Sequence, residues 1–582
     1  MSDGDLHTEQ ARWLVSALAD AGARDVVLSP GSRSTPLALA VAREPRVRLH
    51  VHIDERVAAF FALGIARVTR VPPVLVCTSG TAGAHWLPAA IEAAQSYLPL
   101  LLLTADRPWD AYDCHAPQTI DQVDLFGRYA RHRAEVGLPD EGGLAAVGRV
   151  AAQCVHLAVS PTPGPVHLNA RYRKPLEPVS TAKDEPWRAA LDARRERGAT
   201  RAFAPAVSPS KEAVGALSEA IASASRVVFA CGPSIGRAPR GEVEALAARV
   251  GAVLLAETTS GRRHGDHRGA TLCAGFEVAL RSPSFRARVE PELVVCWGLP
   301  PTATSFAVYG GRAPRWVVSP HGWPDPAGDA TALVVGECDD VARAVSSRVS
   351  ARGGGAWLAE WERANAVVEV AARESADGDA LTEASTARVV SEVLGDGATL
   401  ALGNSMPVRD IDTFAPATER RWTVLHQRGA SGIDGLIAGA AGARAASDGP
   451  VLVVVGDVSM AHDVGGLNAL RGAGGGAVAL VVQNGGGRIF AELPLGKMAR
   501  EDAEVGAVFE RCFLTPQGVE LAGAAGAYGV EYARVETVTA LRDALTRGLS
   551  SERPAVIEAV VPAEDGTARR AALRERVIEG LG

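Results

Sequence analysis

Val451-Leu452-Val453-Val454-Val455-Gly456-Asp457 and, further on, Val478-Ala479-Leu480-Val481-Val482-Gln483-Asn484-Gly485-Gly486-Gly487 decide the fold. Each is a short, unbroken apolar run ending in polar and glycine residues. Such runs suit a strand covered on both faces within a parallel sheet. In a parallel sheet both strand ends open onto one edge, which is where such sheets bind ligands. Asp457 and Asn484 are hard oxygen donors 27 residues apart, suited to a Mg²⁺ ion that holds a phosphorylated ligand. The neighbouring glycines let backbone approach that ligand, and a helix after Asp457 can point its N-terminus at phosphate. Taken singly, Gly-Asp and Asn-Gly only turn a chain. It is their pairing on two strand ends that points to a site.

Similar runs recur along the chain with helix-length segments between them, the rhythm of parallel α/β layers. The first group lies at 25–29, 48–52, 74–77, 100–104 and 165–169, with helical segments such as 55–67 and 82–95. Residues 181–210 lose this pattern and read as a linker. A second group follows at 226–231, 252–256, 293–297, 316–319 and 332–335. After Gly353-Gly354-Gly355 and a long helical stretch, the last group occupies 399–402, 424–426, 451–455, 478–482 and 556–561. The expected architecture is α/β, with three parallel-sheet domains at 1–183, 205–350 and 380–582.

Composition narrows the function. The chain has 582 residues and a net charge of −7 without a basic block, so nucleic acid is not an expected partner. Its only lysines are Lys174, Lys183, Lys211 and Lys497, and the one Gly-Lys pair is followed by Met498, which excludes a P-loop. Eight cysteines are scattered with no C-x-x-C pair, as in a reducing cytoplasm. No signal peptide is read at the N-terminus, and no apolar run reaches the ~20 residues that span a bilayer. His50 and His52, or His264 and His267, lack the further ligands of a closed zinc site.

The two strand ends resemble the thiamine diphosphate-binding motif, usually Gly-Asp-Gly followed by Asn-Asn. Here Val458 replaces the third residue and Gln483 the first Asn. The resemblance implies that Asp457, the Asn484 side chain and the Gly486 carbonyl hold Mg²⁺ on the diphosphate, with Mn²⁺ as the alternative metal. Gly456, Val458 and Ser459 would lie beside them. That cofactor also needs a carboxylate against its aminopyrimidine ring. Glu55, in His52-Ile53-Asp54-Glu55-Arg56, could by itself be only a favourable charge at a helix start. Thiamine diphosphate enzymes of the decarboxylase type, however, place this Glu in the first domain and the metal motif in the last, the order found here.

A set of blocks makes the resemblance specific. Ser29-Pro30-Gly31-Ser32-Arg33-Ser34-Thr35-Pro36-Leu37, Thr78-Ser79-Gly80-Thr81-Ala82, Asp106-Arg107-Pro108 and Gln118-Thr119-Ile120-Asp121-Gln122 lie in the first third. Gly403-Asn404-Ser405-Met406-Pro407-Val408-Arg409-Asp410 and Arg428-Gly429-Ala430-Ser431-Gly432-Ile433-Asp434-Gly435 lie in the last. Together they resemble the 2-succinyl-5-enolpyruvyl-6-hydroxy-3-cyclohexene-1-carboxylate synthase family of menaquinone biosynthesis. The likeness is thin in the middle third.

That resemblance implies a thiamine diphosphate-binding fold of pyrimidine, middle and diphosphate domains, and a homodimer or dimer of dimers with active sites at the subunit interface. The family decarboxylates 2-oxoglutarate on its cofactor and adds the succinyl carbanion equivalent to isochorismate. Both substrates are dianions, for which arginines are the fitting donors. By family position Ser32, Arg33, Arg107 and Gln118 contact isochorismate. Arg409 and Arg428 bind carboxylate, and Ser405 lies near the reacting end. Ile433 is the apolar wedge that bends the cofactor, and Met406, Phe490 and Leu493 line its surroundings. An unplaced Arg is more often a solvated surface residue, so these roles rest on the blocks alone. Two segments depart from the family. His115-Ala116-Pro117 stands where Gly-Ala-Asn is usual, which removes a side-chain donor or moves it to His115. Thr302-Ala303-Thr304 lacks the basic residue that relatives often carry. Two other readings stay open at this level: another 2-oxo acid decarboxylase, despite the absence of adjacent histidines, and a non-catalytic module that keeps the fold.

Overall fold

The computed structural model describes residues 3–179 and 186–582. Eighteen strands among the described residues build three six-stranded sheets, and every strand pairing in them is parallel. The first sheet has β1 Asp25–Leu28, β2 Arg48–Val51, β3 Val74–Cys77, β4 Leu100–Asp106, β5 His132–Val136 and β6 Pro165–Arg171, in the order β2-β1-β3-β4-β6-β5. The second has β7 Val227–Cys231, β8 Val253–Ala256, β9 Thr271–Leu272, β10 Leu293–Trp297, β11 Arg315–Ser319 and β12 Ala330–Val335, ordered β12-β11-β10-β7-β8-β9. In the third, β13 Thr399–Leu402, β14 Thr423–His426, β15 Val451–Gly456, β16 Ala477–Gln483, β17 Glu531–Val535 and β18 Ala555–Val560 repeat the first topology as β14-β13-β15-β16-β18-β17.

The apolar runs read from the sequence account for fifteen of these strands. The other three, β5, β9 and β17, are all edge strands. An edge strand is covered less completely, so β5 alternates exposed and half-buried residues, and β9 is half-buried throughout. Neither makes an unbroken apolar run. The expected linker at 181–210 also needs correction. Its first residues, 181–185, lie outside those described, but Pro186–Arg197 is a helix. Trp187 and Leu191, one turn apart, bury into the first core, and Arg195 pairs with Glu9 at 2.5 Å.

Two compact units hold the sheets. One comprises Met1–Pro205, Gln427–Asp448 and Gly465–Ala473 and contains the first sheet. The other comprises Ala206–His426, Gly449–Val464 and Gly474–Gly582 and contains the other two. Six cysteines are buried, and only Cys114 and Cys512 are exposed. No helix among the described residues is long and apolar enough to cross a membrane.

Candidate active site

In the first unit β1, β3 and β4 are neighbours, so the loops at their C-terminal ends meet. Ser32–Ser34 forms a 3₁₀ turn after β1, with Ser32 exposed and Arg33 buried. The Arg33 amide donates to Thr78 Oγ1 at 3.2 Å, and its Nη1 donates to the Tyr172 carbonyl at 2.8 Å. Arg107 Nε donates to the Gln118 carbonyl at 3.4 Å, and the Gln118 side-chain amide donates to the Ser79 carbonyl at 3.0 Å. Burial, and then the Arg107 charge, hold the Arg33 pKa below its usual value. Two arginines on loops that meet at one sheet edge favour an anion. Ser32, Arg33, Arg107 and Gln118 are thus brought together. Gln118 and His115 both adopt left-handed backbone, φ 56° and 58°, on either side of Pro117.

A polar network beneath these loops was not singled out by sequence reading. Asp106 is fully buried. It accepts from Asn169 Nδ2 at 2.9 Å and from the Tyr112 hydroxyl, and pairs with Arg171 at 3.4 Å. Asn169 Oδ1 accepts from Thr104 at 2.8 Å and from Gln122 at 3.2 Å, while Gln122 Oε1 accepts from the Gly80 amide at 2.9 Å. Fully paired buried networks of this kind are rigid. The available signal was the polar residues that interrupt the apolar strands at 104, 106 and 169.

Glu55 opens the helix Glu55–Thr69 directly after β2, capped by Asp54, whose carboxylate accepts from the Arg56 amide at 2.9 Å. Burial, and then the Glu55 charge, push the Cys77 thiol up. The helix Leu436–Ala445 packs on this helix at glycines. A methyl group on Gly64 would overlap the Gly439 carbonyl, one on Gly442 the Phe61 carbonyl, and one on Gly435 (φ 65°) the Phe60 ring. The loop ahead of that helix carries Arg428 and Ile433, both half-buried. Buried Glu92 fastens it by accepting from the amides of Gly429 at 3.2 Å and Ala430 at 2.6 Å. Glu55, Arg428 and Ile433 therefore belong to the same unit as the arginine pair.

The second unit holds the rest. β15 lies between β13 and β16, so Ser405, Asp457 and Asn484 follow the C-terminal ends of three adjacent strands. Asp457 Oδ1 accepts from the Val458 amide at 2.9 Å and Oδ2 from the Gly486 amide at 2.7 Å. Burial raises its pKa. Asn484 is buried. Its Nδ2 donates to Glu383 at 2.6 Å, while its Oδ1 has no hydrogen-bond partner. The Gly486 carbonyl accepts from the Arg488 amide at 2.8 Å, which leaves its second lone pair. The expected helix after Asp457 is present but short, Asp457–His462, with Gly456 as its N-cap and Ser459 buried in it.

Ser405 is the N-cap of the helix Met406–Phe414 and has φ 70°. For a residue with a Cβ this costs roughly 1–3 kcal/mol, and such strain collects at functional sites. Arg409 on that helix donates to the Ser405 carbonyl at 2.5 Å. Met406, Arg409 and Leu493 line a cavity of about 330 Å³, together with Glu257 and Arg263. Phe490 lies edge-on to Phe513, ring centroids 5.5 Å apart. The departing segment at 302–304 acts as a support: Glu257 Oε1 accepts from the Thr302 amide at 2.6 Å, its hydroxyl at 3.0 Å and the Ala303 amide at 2.9 Å. Burial, and then Asp412, push the Glu257 carboxyl up to about 8.

Residues 8–125 match the N-terminal TPP binding domain of thiamine pyrophosphate enzymes, and residues 412–559 match the C-terminal one. The chain is 48% identical to 2-succinyl-5-enolpyruvyl-6-hydroxy-3-cyclohexene-1-carboxylate synthase of Sorangium cellulosum, over 98% of this chain and 96% of that one. It belongs to that family. The synthases of Myxococcus xanthus and Geobacillus kaustophilus are 38% and 37% identical, covering 94% of this chain and 93% and 94% of theirs. The fold is also that of a chain described as a thiamin diphosphate-dependent enzyme of Mycobacterium smegmatis. The two align with a TM-score of 0.68 at 16% identity, over 95% of this chain and 99% of the other.

As a member of the synthase family, the chain is a thiamine diphosphate-dependent enzyme, and its residues fit that cofactor. Asn484 Oδ1 is a buried acceptor with nothing to accept from, and two residues on the Gly486 amide donates to the Asp457 carboxylate. Gly486, at φ 116°, keeps the loop free of a side chain that would overlap the Leu514 carbonyl. Oxygen donors beside bare backbone suit a divalent cation and a diphosphate.

Proposed function

We propose that this chain decarboxylates 2-oxoglutarate on thiamine diphosphate and adds the succinyl unit to isochorismate. The product of this 1,4-addition is 2-succinyl-5-enolpyruvyl-6-hydroxy-3-cyclohexene-1-carboxylate, with release of CO₂. The observation that carries the reading is the hydrogen-bonded set that holds Arg33, Arg107 and Gln118 at one sheet edge, Arg33 on Thr78, Arg107 on the Gln118 carbonyl and Gln118 on Ser79. A small monoanion such as pyruvate does not call for them.

When bound, thiamine diphosphate supplies the nucleophilic carbon that takes up the 2-oxo acid and holds the electron pair once CO₂ leaves. Asp457, Asn484 and the Gly486 carbonyl hold Mg²⁺, or Mn²⁺, on the diphosphate, with Gly456, Val458 and Ser459 beside it. Glu55 would hold the cofactor's aminopyrimidine and exchange a proton with it, and Ile433 would pack against the cofactor as an apolar wedge. Met406, Phe490 and Leu493 form apolar surroundings. Ser405 stands at the reacting end, Arg409 and Arg428 bind carboxylate, and Ser32, Arg33, Arg107 and Gln118 orient isochorismate.

The reading extends to organisation. The pyrimidine, middle and diphosphate domains span 1–183, 205–350 and 380–582. The enzyme is a cytoplasmic homodimer, alone or as a dimer of dimers, with active sites at the subunit interface. In support, Leu49, Val51 and Ile53 alternate along the edge strand β2 and its end, 41%, 55% and 77% exposed, just before Glu55. An apolar edge placed there calls for a covering partner.

The deciding assay supplies Mg²⁺, thiamine diphosphate and 2-oxoglutarate, with and without isochorismate. Isochorismate consumption that depends on 2-oxoglutarate is expected. Turnover of pyruvate in place of 2-oxoglutarate would overturn the substrate assignment.

A further inference from the structure

Behind Asn484 lies a buried charge cluster that none of these roles uses. Glu383 is the first residue of the helix Glu383–Val393, whose N-cap Thr382 forms a capping box with Ser385. Its carboxylate is buried and divides its oxygens between two partners. Oε1 accepts from Asn484 Nδ2 at 2.6 Å, and Oε2 accepts from Arg570 Nη1 at 2.7 Å. Arg570, equally buried, also reaches Asp410 at 2.8 Å and Glu492 at 3.0 Å. Space is kept for this carboxylate: a methyl group on Gly566 would overlap Glu383 Oε2.

A side-chain amide has one end that can bind a cation and one that cannot, and its own torsions hardly distinguish them. Glu383 accepts through Oε1 and so takes the NH₂ end. Oδ1 is then left at the opposite end, and this is the buried oxygen without a partner. We propose that Glu383, anchored by Arg570, is a positioning residue that fixes the Asn484 amide with its oxygen toward the metal ion. The proposal rests on the metal-site reading above.

The test is a Mg²⁺ titration at saturating thiamine diphosphate, read as the concentration giving half the rise in Tm. A Mn²⁺ titration followed by loss of the free-ion EPR signal repeats it without heating. In Glu383→Gln, Arg570 draws the new carbonyl and the new NH₂ faces Asn484, so the ligand amide turns over. Because residues behind metal ligands typically contribute 10–100-fold in affinity, the midpoint should rise at least about tenfold. Adding Asn484→Asp to that variant should restore most of the affinity, since Asp accepts from the Gln NH₂ with one oxygen and offers the other to the metal. Gly566→Ala, which leaves every ligand in place but displaces Oε2, should weaken binding in the same direction, and it carries the test if Glu383→Gln does not fold. A parental midpoint in either single variant, or a double variant no tighter than Glu383→Gln, overturns the proposal. A parent chain with no metal-dependent response would instead remove the metal-site reading itself.

Discussion

Two carboxylates behave differently because of where they sit. Glu55 starts a helix at the end of an edge strand, half-buried. Glu55→Gln keeps its shape and removes its charge. We expect turnover to fall about 10²- to 10⁴-fold, the usual range for proton-transfer groups, while cofactor still raises Tm. A fully active variant would refute the role. Glu257 is buried, with its carboxyl pushed up to about 8. The folded chain thus holds a proton that the unfolded chain gives up near pH 4.5. Stability from this group is complete below that value and is lost as pH rises through about 8. Relative to Glu257→Gln, the parent should therefore lose stability as pH is raised from about 5 to 8.5, as measured by urea unfolding at each pH. Neither Glu257 nor Glu383 was legible as a functional residue. A single Glu carries no motif, and its meaning comes from partners 45 and 101 positions away.

At the scale of elements, the glycine-mediated contact between Glu55–Thr69 and Leu436–Ala445 sets where Glu55 and Ile433 stand. Gly442→Ala forces a methyl group onto the Phe61 carbonyl, which is backbone and cannot swing aside. Overpacking of this kind costs about 1–3 kcal/mol, to be read from urea unfolding. Activity should fall further than stability explains, because the helix start moves with the helix. Strands buried on both faces were legible as apolar runs, and the strand ends bearing Asp457 and Asn484 were legible with them. The edge strands β5, β9 and β17 were not, since half-covered strands need no continuous apolar sequence. The helix Pro186–Arg197 was hidden for a related reason: its charged residues outnumber the two, Trp187 and Leu191, that dock it.

For the whole molecule, the motif order implied three parallel-sheet units and the described residues form three sheets, two of them with the same strand order. Sequence alone did not signal that Gln427–Asp448 joins the first unit, because the helix it packs on, Glu55–Thr69, lies some 380 residues earlier, nor that Gly465–Ala473 follows it by packing on Leu436–Ala445. Ile53→Asp, at the exposed end of β2, should dissociate the proposed homodimer in sedimentation and abolish activity in parallel. A dimeric, active variant would place the interface elsewhere. Mg²⁺ with thiamine diphosphate should raise Tm, since ligand at 100 times its Kd adds about 2.7 kcal/mol to the folded state. The distribution of cysteines has a practical consequence here. Cys77 and Cys154 are sealed in the first unit, and Cys231, Cys273, Cys296 and Cys338 lie in the middle third. A thiol-alkylating reagent should mark Cys114 and Cys512 at once and the other six only as their surroundings open. Mass spectrometry of alkylated peptides then yields an opening rate for each region, with and without cofactor, from the unmodified native chain.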